Sequence, residues 1–342
     1  MKDLLPERFE ESHNFAIYLH DSLVQIVQTG EEKDIFNSEI IFNSKTEAKE
    51  MRGLSGEELW SWLDSRDEDL IKDLSYRQTF VAVLTDLCQF VFESLQASRK
   101  GKLTVSFALL RKPFRDDLFI LEWLLADPKS VVNKFYQGNP EEYAIESTQS
   151  DEKKEIIGKA IKRISEDYAF ESDFIYRSRY DKEVYWSLGK VWNKALHVVT
   201  THPKERTEKQ NLNFVFSSHE DKLSQWNYLY WITPILLYHT VEVSETLMAT
   251  IAKIDKTHDS VQKLTRKLNL LFWQKSSSYF EEPEELNKLI ENIEASVELK
   301  CPQCAEEILI DERNVKSFAE IGEITCQNCD TVLDLKSYFS DP

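Results

Sequence analysis

Two Cys-x-x-Cys pairs lie in the last 42 residues of the chain, and no other feature restricts its local fold as strongly. The pairs are Cys301 with Cys304 and Cys326 with Cys329, and 21 residues separate them. Each pair places two sulfurs on a tight turn, and a spacer of this length can bring the second turn opposite the first. Four thiolates in this arrangement are typical of a tetrahedral zinc site. The sequence therefore predicts one zinc ion per chain, bound by these cysteines.

Short apolar runs beside the cysteine pairs predict the structure around the metal. Residues 308–310 and 332–335 follow the two pairs, residues 322–325 lead into the third cysteine, and all three segments are typical of short strands. Residues 298–342 therefore resemble a zinc ribbon. The zinc in this arrangement is expected to be structural, because four thiolates leave no coordination position for water.

Two disulfides or four free thiols are the alternatives to zinc. The chain has five cysteines, and the fifth, Cys88, lies in an apolar segment. This usage indicates a reducing compartment, where disulfides are rare. We therefore favour zinc and expect a cytoplasmic protein.

The charge of the predicted ribbon indicates what it can bind. Residues 299–342 contain nine Asp or Glu against four Lys or Arg. A surface that binds nucleic acid needs clustered cations, which release counterions from the phosphates. The acidity of the ribbon disfavours nucleic acid and favours a role in folding, in a homo-oligomer contact or in docking of a protein partner.

Composition and periodicity predict the rest of the chain. It has 342 residues and a net charge of −18, and it contains only eight glycines and nine prolines. Apolar residues recur at helical spacing in most long segments, so we predict a mainly α protein. The predicted body is a multi-helix bundle over residues 1–297, with exposed connections near 137–154 and 202–217 that allow two subdomains. A small β ribbon follows at residues 298–342.

The most apolar run, residues 226–243, raises the question of a membrane span. It contains Asn227, Pro234, His239 and Glu242. The run is too short and too polar to span a bilayer. We expect a buried helix here and no membrane partner.

A stripe of charged residues crosses one of the predicted body helices. Arg111 and Arg115 are four residues apart, and Glu122 follows seven residues later, so helical spacing places all three near one face among apolar neighbours. One interpretation is a buried ion-pair network that fixes helix packing. The other is an anionic pocket in which the two arginines hold a phosphate or a carboxylate.

A second polar pair lies on a later predicted helix. Asn193 and His197 are four residues apart on a segment expected to pack into the body. A helix with two arginines and a glutamate, followed by a helix that ends in Asn and His, resembles helical bacterial proteins of the HEPN group. This resemblance covers residues 80–201 and implies a four-helix bundle with an RNA-cleaving site. It implies His197 as general acid or base, and Arg111 or Arg115 as the stabiliser of the phosphorane.

One departure from the HEPN pattern affects the choice of function. The family carries an Arg followed four to six residues later by a His on the same helix, and this spacing occurs here only at Arg8 and His13, with Phe9 where a polar residue is common. The sequence also has no Gly-rich phosphate loop, no Gly-x-Ser-x-Gly and no His-Glu-x-x-His. We therefore predict a cytoplasmic helical binding or regulatory protein whose ribbon contacts a protein partner. The alternative is a HEPN-like RNase that acts as a defence effector, so enzyme activity stays undecided.

Overall fold

The computed structural model describes residues 3–38, 40–66, 68–165, 168–253 and 256–335. It confirms a mainly α protein with a small β part near the C-terminus. The α-helices, α1 to α15 in chain order, are Glu10–Glu32, Lys45–Gly53, Glu57–Arg66, Glu68–Arg99, Leu103–Arg111, Leu118–Ala126, Pro128–Gln137, Pro140–Tyr143, Ser150–Ile164, Ser172–Tyr180, Leu188–Leu196, His219–Ile251, Lys256–Ser276, Glu284–Ser296 and Glu312–Ile321. Short 3-10 helices cover Glu7–Phe9 and Pro203–Glu205, a π-helical segment covers Lys112–Asp117, and strands β1 and β2 are Glu323–Thr325 and Val332–Asp334.

The chain divides into two compact units. Unit 1 consists of Met1–Phe9 and Ala16–Ala252, and unit 2 consists of Glu10–Phe15 and Lys253–Pro342. The division after Ala252 groups α13 and α14 with the cysteine-rich segment, whereas the sequence analysis ends the body at residue 297. The connection predicted at 137–154 contains α8 and the start of α9, and the one at 202–217 contains a single 3-10 turn.

The core of unit 1 is built around helix α6. Each of its nine residues, Leu118–Ala126, is buried, because the helix packs against α4, α7, α9 and α12 on different sides. A helix that is apolar on every side requires this kind of enclosure. Helix α12 is buried from Trp226 to Ser244 on most positions, so the apolar run at residues 226–243 forms a core helix of unit 1.

One helix in the described part of the chain could cross a membrane by length and composition alone. It is Asp69–Arg99, with a mean hydropathy of 1.3 over its most apolar stretch, and 44% of that stretch is buried. Its inward positions, including Leu84, Leu87 and Val91, are fully enclosed by neighbouring helices. A single helix of this kind is weak evidence for a span, because the core helix of a soluble protein passes the same test.

A π-helical segment joins α5 to α6 and contains Pro113 near its start. Proline has no backbone N–H, so the regular helical bond at this residue is missing. The N–H of Leu118 donates to the carbonyl of Pro113, five residues earlier, which is the π pattern. The segment therefore continues the helix with more residues per turn, and it carries Arg115.

The cysteine-rich part of unit 2 agrees with one expectation and corrects another. Strands β1 and β2 pair antiparallel, with Ile324 opposite Leu333, as predicted for these runs. Residues 308–310, however, form no strand, and the nearby pairing is an isolated bridge between Lys300 and Glu307. Ile308 and Ile310 are instead buried as core residues, which explains why this run is apolar without being a strand.

Helix α15, between the two cysteine pairs, was not predicted. The side chain of Asp311 accepts a hydrogen bond from the N–H of Asn314 and caps the start of the helix. Gly322 ends it in the left-handed conformation, with φ 78°. Val315 and Ala319, one turn apart, pack into an apolar core with residues of α13 and α14.

Candidate functional site

Four of the five predicted site residues of the helical body line one cavity in unit 1. They are Arg111, Arg115, Asn193 and His197, and the cavity has a volume of about 310 Å³. Its wall also includes Lys153, Tyr176, Arg179, Tyr180, Lys182 and Trp192. Helix α5 and the π segment supply the two predicted arginines. Asn193 lies on α11, and His197 is the exposed residue that ends this helix, its N–H bonded to the carbonyl of Asn193 at 3.1 Å.

The cavity is cationic although the chain is acidic. Five of its lining residues are Lys or Arg, and Glu205 is the one lining carboxylate among the described residues. The chain as a whole carries a net charge of −18. Like charges gathered around a cavity repel one another, and an anion between them would relieve the repulsion that the protein's own carboxylates leave.

The cations differ in how far the protein neutralises them. Arg115 donates to Glu146 at 2.7 Å, and this hydrogen bond lowers the pKa of the Glu146 carboxyl. Arg111 and Lys182 make no hydrogen bond or ion pair with another residue that the structure describes. These two side chains can therefore bind a ligand without first breaking a contact.

Lys153 contributes a partly desolvated charge. Its Nζ donates to the carbonyls of Ile145 at 2.7 Å and Thr148 at 2.6 Å. Burial, together with the nearby charge of Arg115, lowers its pKa. An anion in the cavity would oppose both effects and stabilise the ammonium form.

Trp192 presents a buried donor at the cavity wall. The side chain is 1% exposed, and its indole Nε1–H has no hydrogen-bond partner among the described residues. Leaving a buried N–H unpaired costs about 1–3 kcal/mol. A ligand oxygen that reached this donor from the cavity would satisfy it. The neighbouring Asn193 is already engaged, since its amide donates to Glu205.

Glu122 is not part of the cavity wall but of a buried network behind it. Arg179 Nη2 donates to its two carboxylate oxygens at 2.6 and 2.8 Å, and His239 Nε2 lies 2.8 Å from Oε1. The sequence grouped Glu122 with Arg111 and Arg115 by regular α-helical spacing. The π segment between them has more residues per turn, so a spacing of seven no longer keeps residues on one face.

The charge states of this network follow from its contacts. Burial alone would raise the pKa of Glu122, but the charge of Arg179 and the hydrogen bond from His239 outweigh burial and lower it. Burial lowers the pKa of His239, so its imidazole is neutral. Because Glu122 can only accept, His239 donates through Nε2, and its Nδ1 accepts from the hydroxyl of Tyr168 at 2.6 Å.

Arg179 links the network to the cavity, and sequence analysis missed it. Its other donors are held by the carbonyls of Ile175 and Phe114, each at 3.2 Å, and the residue also borders the cavity, although its side chain is fully buried. Arg177 lies on the same helix, α10, and pairs with the carboxylates of Asp173 and Asp181. Nothing in the sequence distinguishes these two arginines, because only the packing of α10 against α9 and the π segment selects which one faces Glu122.

The four cysteines of unit 2 come together as the sequence predicts. Their sulfur atoms all lie within 4.8 Å of one another, with Cys301 and Cys329 3.6 Å apart and Cys304 and Cys326 3.7 Å apart. These two separations are too long for disulfides, in which the sulfurs are about 2.05 Å apart, and none of the four cysteines forms a disulfide in the structure. Zn–S bonds of about 2.3 Å in a tetrahedron place sulfurs about 3.8 Å apart. The cluster is therefore compatible with a zinc site.

The two cysteine turns have the same backbone geometry. The N–H of Cys301 donates to the carbonyl of Glu306 at 2.8 Å, and the N–H of Cys326 donates to that of Thr331 at 2.9 Å. The residue after each pair is left-handed, with φ 63° at Ala305 and φ 56° at Asp330. The chain thus adopts a strained conformation twice at matching positions, where glycine would be easier, in order to bring the sulfurs together.

Compared with protein-family models, curated proteins and solved structures, the chain shows no match. The HEPN-like resemblance therefore stays a prediction from sequence, and the function must be argued from the geometry of the site.

The buried network generates the first prediction. We expect Glu122→Gln to lower the free energy of unfolding of the chain by about 3–5 kcal/mol, because it leaves the charge of Arg179 buried without a counter-charge. Chemical denaturation of the full chain measures the change. Glu146→Gln is the matched control, since this carboxylate also pairs with an arginine but is 66% exposed, and we expect a loss below about 1 kcal/mol. Equal losses in both variants would contradict the importance of the network.

Proposed function

We propose that the cavity of unit 1 binds a ligand that carries one or more phosphate groups. The observation that carries the proposal is that Arg111 and Lys182, which make no hydrogen bond or ion pair in the described structure, line one cavity together with Trp192, whose buried indole N–H has no partner there. Arginine matches the oxygens of phosphate with a planar set of donors, and lysine adds charge.

The number of charges favours phosphate over a simple carboxylate. One carboxylate carries a single charge, and Glu146 already neutralises Arg115. Arg111, Lys153 and Lys182 have no carboxylate within ion-pair distance among the described residues. A phosphomonoester or a pyrophosphate brings several anionic oxygens into one volume, and about 310 Å³ is within the range of small-ligand cavities.

This proposal belongs to the binding class that the sequence favoured, but it relies on a different surface. The sequence assigned binding to the ribbon, through contact with a protein partner, and that contact stays a prediction. The cavity supports binding of a small anion, because its charge is opposite to the charge of the chain. The acidity that disfavoured nucleic acid was counted in the ribbon, and it does not describe this wall.

Pyrophosphate binding tests the proposal. We expect isothermal titration calorimetry to detect pyrophosphate binding to the full chain, with affinity reduced roughly tenfold or more in Arg111→Gln and roughly fivefold in Trp192→Phe. Raising the salt concentration should weaken binding. Arg52→Gln is the control, because this exposed arginine lies on α2 outside the cavity wall. No binding by the wild type, or unchanged affinity in Arg111→Gln, would refute the proposal.

RNA cleavage is a second candidate function, and one observation favours it. The exposed side chain of His197 lines the same cavity as Arg111 and Arg115. A histidine beside bound phosphate can act as general acid or base, and an arginine can stabilise the phosphorane. Arg8 and His13, the pair with the family spacing, do not line the cavity.

A cleavage assay tests this second candidate. Wild type and the double variant Arg115→Ala/His197→Ala are incubated with a mixed RNA pool in the absence of divalent metal, with His219→Ala as the histidine control. Cleavage that the double variant loses and the control keeps would support the nuclease. Intact RNA in the wild-type reaction would contradict the nuclease and leave phosphate binding as the proposed function.

We further propose that the cysteine cluster holds one structural zinc ion. The donor set supports this, because four thiolates at tetrahedral separations satisfy zinc without an open position. Bound zinc would fix the two strained turns and the antiparallel pair β1–β2.

Metal analysis tests the zinc proposal. Protein purified without chelator should contain about one zinc per chain by mass spectrometry of the metal, since the tetrahedral site is closed. Cys326→Ser should lose most of it and show lower protection of β1 and β2 in hydrogen exchange. Cys88→Ser is the control, because this cysteine is buried in unit 1 and is not one of the four cysteines of the cluster. Less than half an equivalent in the wild type would contradict the proposal.

A further inference from the structure

Exposed apolar side chains form a rim beside the cationic cavity. Three follow one another at and after the end of α11, and two lie in the loop before α12. Each is between 48% and 67% exposed, and they are Leu196, Val198, Val199, Val215 and Phe216. Clustered apolar side chains at a surface mark an interaction site, whereas single ones do not.

Hydrogen bonds hold the two segments of this apolar rim together. The backbone N–H of Asn213 donates to the carbonyl of Val198 at 2.8 Å, and its side-chain amide donates to the carbonyl of His197 at 2.8 Å. Leu196 and His197 also line the cavity. The apolar rim is therefore continuous with the mouth of the site.

The part of the chain that carries the apolar rim contains more Lys and Arg than Glu. Residues 182–217 contain six Lys or Arg and three Glu, in a chain whose net charge is −18. Two of these glutamates are already engaged, Glu183 with Lys204 and Glu205 with Asn193. The apolar rim, its cations and the cavity thus form one surface that combines apolar contact with attraction for anions.

We propose that this surface docks on an anionic lipid bilayer, with the phosphate of a lipid headgroup in the cavity and the apolar rim in the interfacial region. The inference rests on the phosphate binding proposed above and names the source of the phosphate. Basic residues near apolar side chains bind the negatively charged leaflet in this way. The expectation of no membrane partner came from the absence of a spanning run, which does not describe this local surface.

The chemistry of the apolar rim favours lipid over RNA. Bases bind to single-strand sites by stacking on aromatic faces. Four of the five rim side chains are aliphatic and have no such face, and Phe216 is the exception. Aliphatic side chains gain free energy when they leave water for the acyl boundary of a bilayer.

Vesicle sedimentation tests the proposal. The full chain is mixed with phosphatidylcholine vesicles with and without phosphatidic acid, a lipid with a phosphomonoester headgroup. We expect sedimentation only with phosphatidic acid, and competition by pyrophosphate. In the double variant Val198→Ser/Phe216→Ser, the affinity for these vesicles should fall by at least about tenfold. Its affinity for soluble pyrophosphate should equal that of the wild type, because neither residue lines the cavity. Ile41→Ser is the control for loss of an exposed apolar side chain.

The outcomes separate this inference from the proposed function. Wild type that binds pyrophosphate but stays in the supernatant with phosphatidic acid vesicles would overturn the docking surface alone. The docking surface would also be overturned if the double variant and the wild type sedimented with the vesicles to the same extent. It would be overturned too if the wild type bound single-stranded RNA but no vesicles, and the double variant lost the RNA binding. If vesicle binding depends on Val198 and Phe216 but not on Arg111, the apolar rim docks on the bilayer as proposed. That result would overturn the proposal that the headgroup phosphate binds in the cavity.

Discussion

The buried pair of Arg179 and Glu122 is the interaction on which unit 1 and its cavity depend. Removing two charges from water costs several kcal/mol for each, and only good geometry and further hydrogen bonds offset that cost. Here the pair is closed by His239 and by the carbonyls of Ile175 and Phe114, with Tyr168 bonded to His239 in turn. These contacts join α6, α10, α12 and the π segment. The back wall of the cavity is therefore positioned by charges that lie out of reach of solvent.

Some cations in and behind the cavity wall are paired with carboxylates and others are not, and this difference supports anion binding. Arg179 is neutralised by Glu122 and is inaccessible to solvent. Arg111 and Lys182 line the cavity without any ion pair in the described structure, and Lys153 donates only to carbonyls. An ion pair that serves packing alone needs a carboxylate opposite each cation. Where the chain provides cations without carboxylates, and adds the unpaired N–H of Trp192, it leaves room for an external anion.

Much of this arrangement could be predicted from the sequence, and the errors have physical causes. Spacing alone located the cysteine cluster, because two Cys-x-x-Cys turns act over short range. Residue type and helical spacing singled out Arg111, Arg115, Asn193 and His197, which line one cavity, and their functional roles stay predictions. Spacing misplaced Glu122, because the π segment shifts the helix face, and it could not select Arg179 or Trp192, whose roles arise only when α10 and α11 pack against the cavity. Helix α15 was missed although Asp311 and Gly322 are ordinary cap signals, because the apolar run before it was read as a strand.

The opposite signs of the cavity and of the whole chain affect how quickly an anion can arrive. At long range the ligand meets the field of a chain with net charge −18, which repels it, and only within the last few ångströms do the cations of the wall dominate. Salt screens the distant repulsion within a Debye length of about 10 Å at 0.1 M. Moderate salt should therefore raise the association rate constant while it also raises the dissociation rate constant. For a cationic site on a basic protein, salt would instead lower the association rate constant. Stopped-flow kinetics at several salt concentrations would therefore distinguish a local pocket from a general attraction for anions.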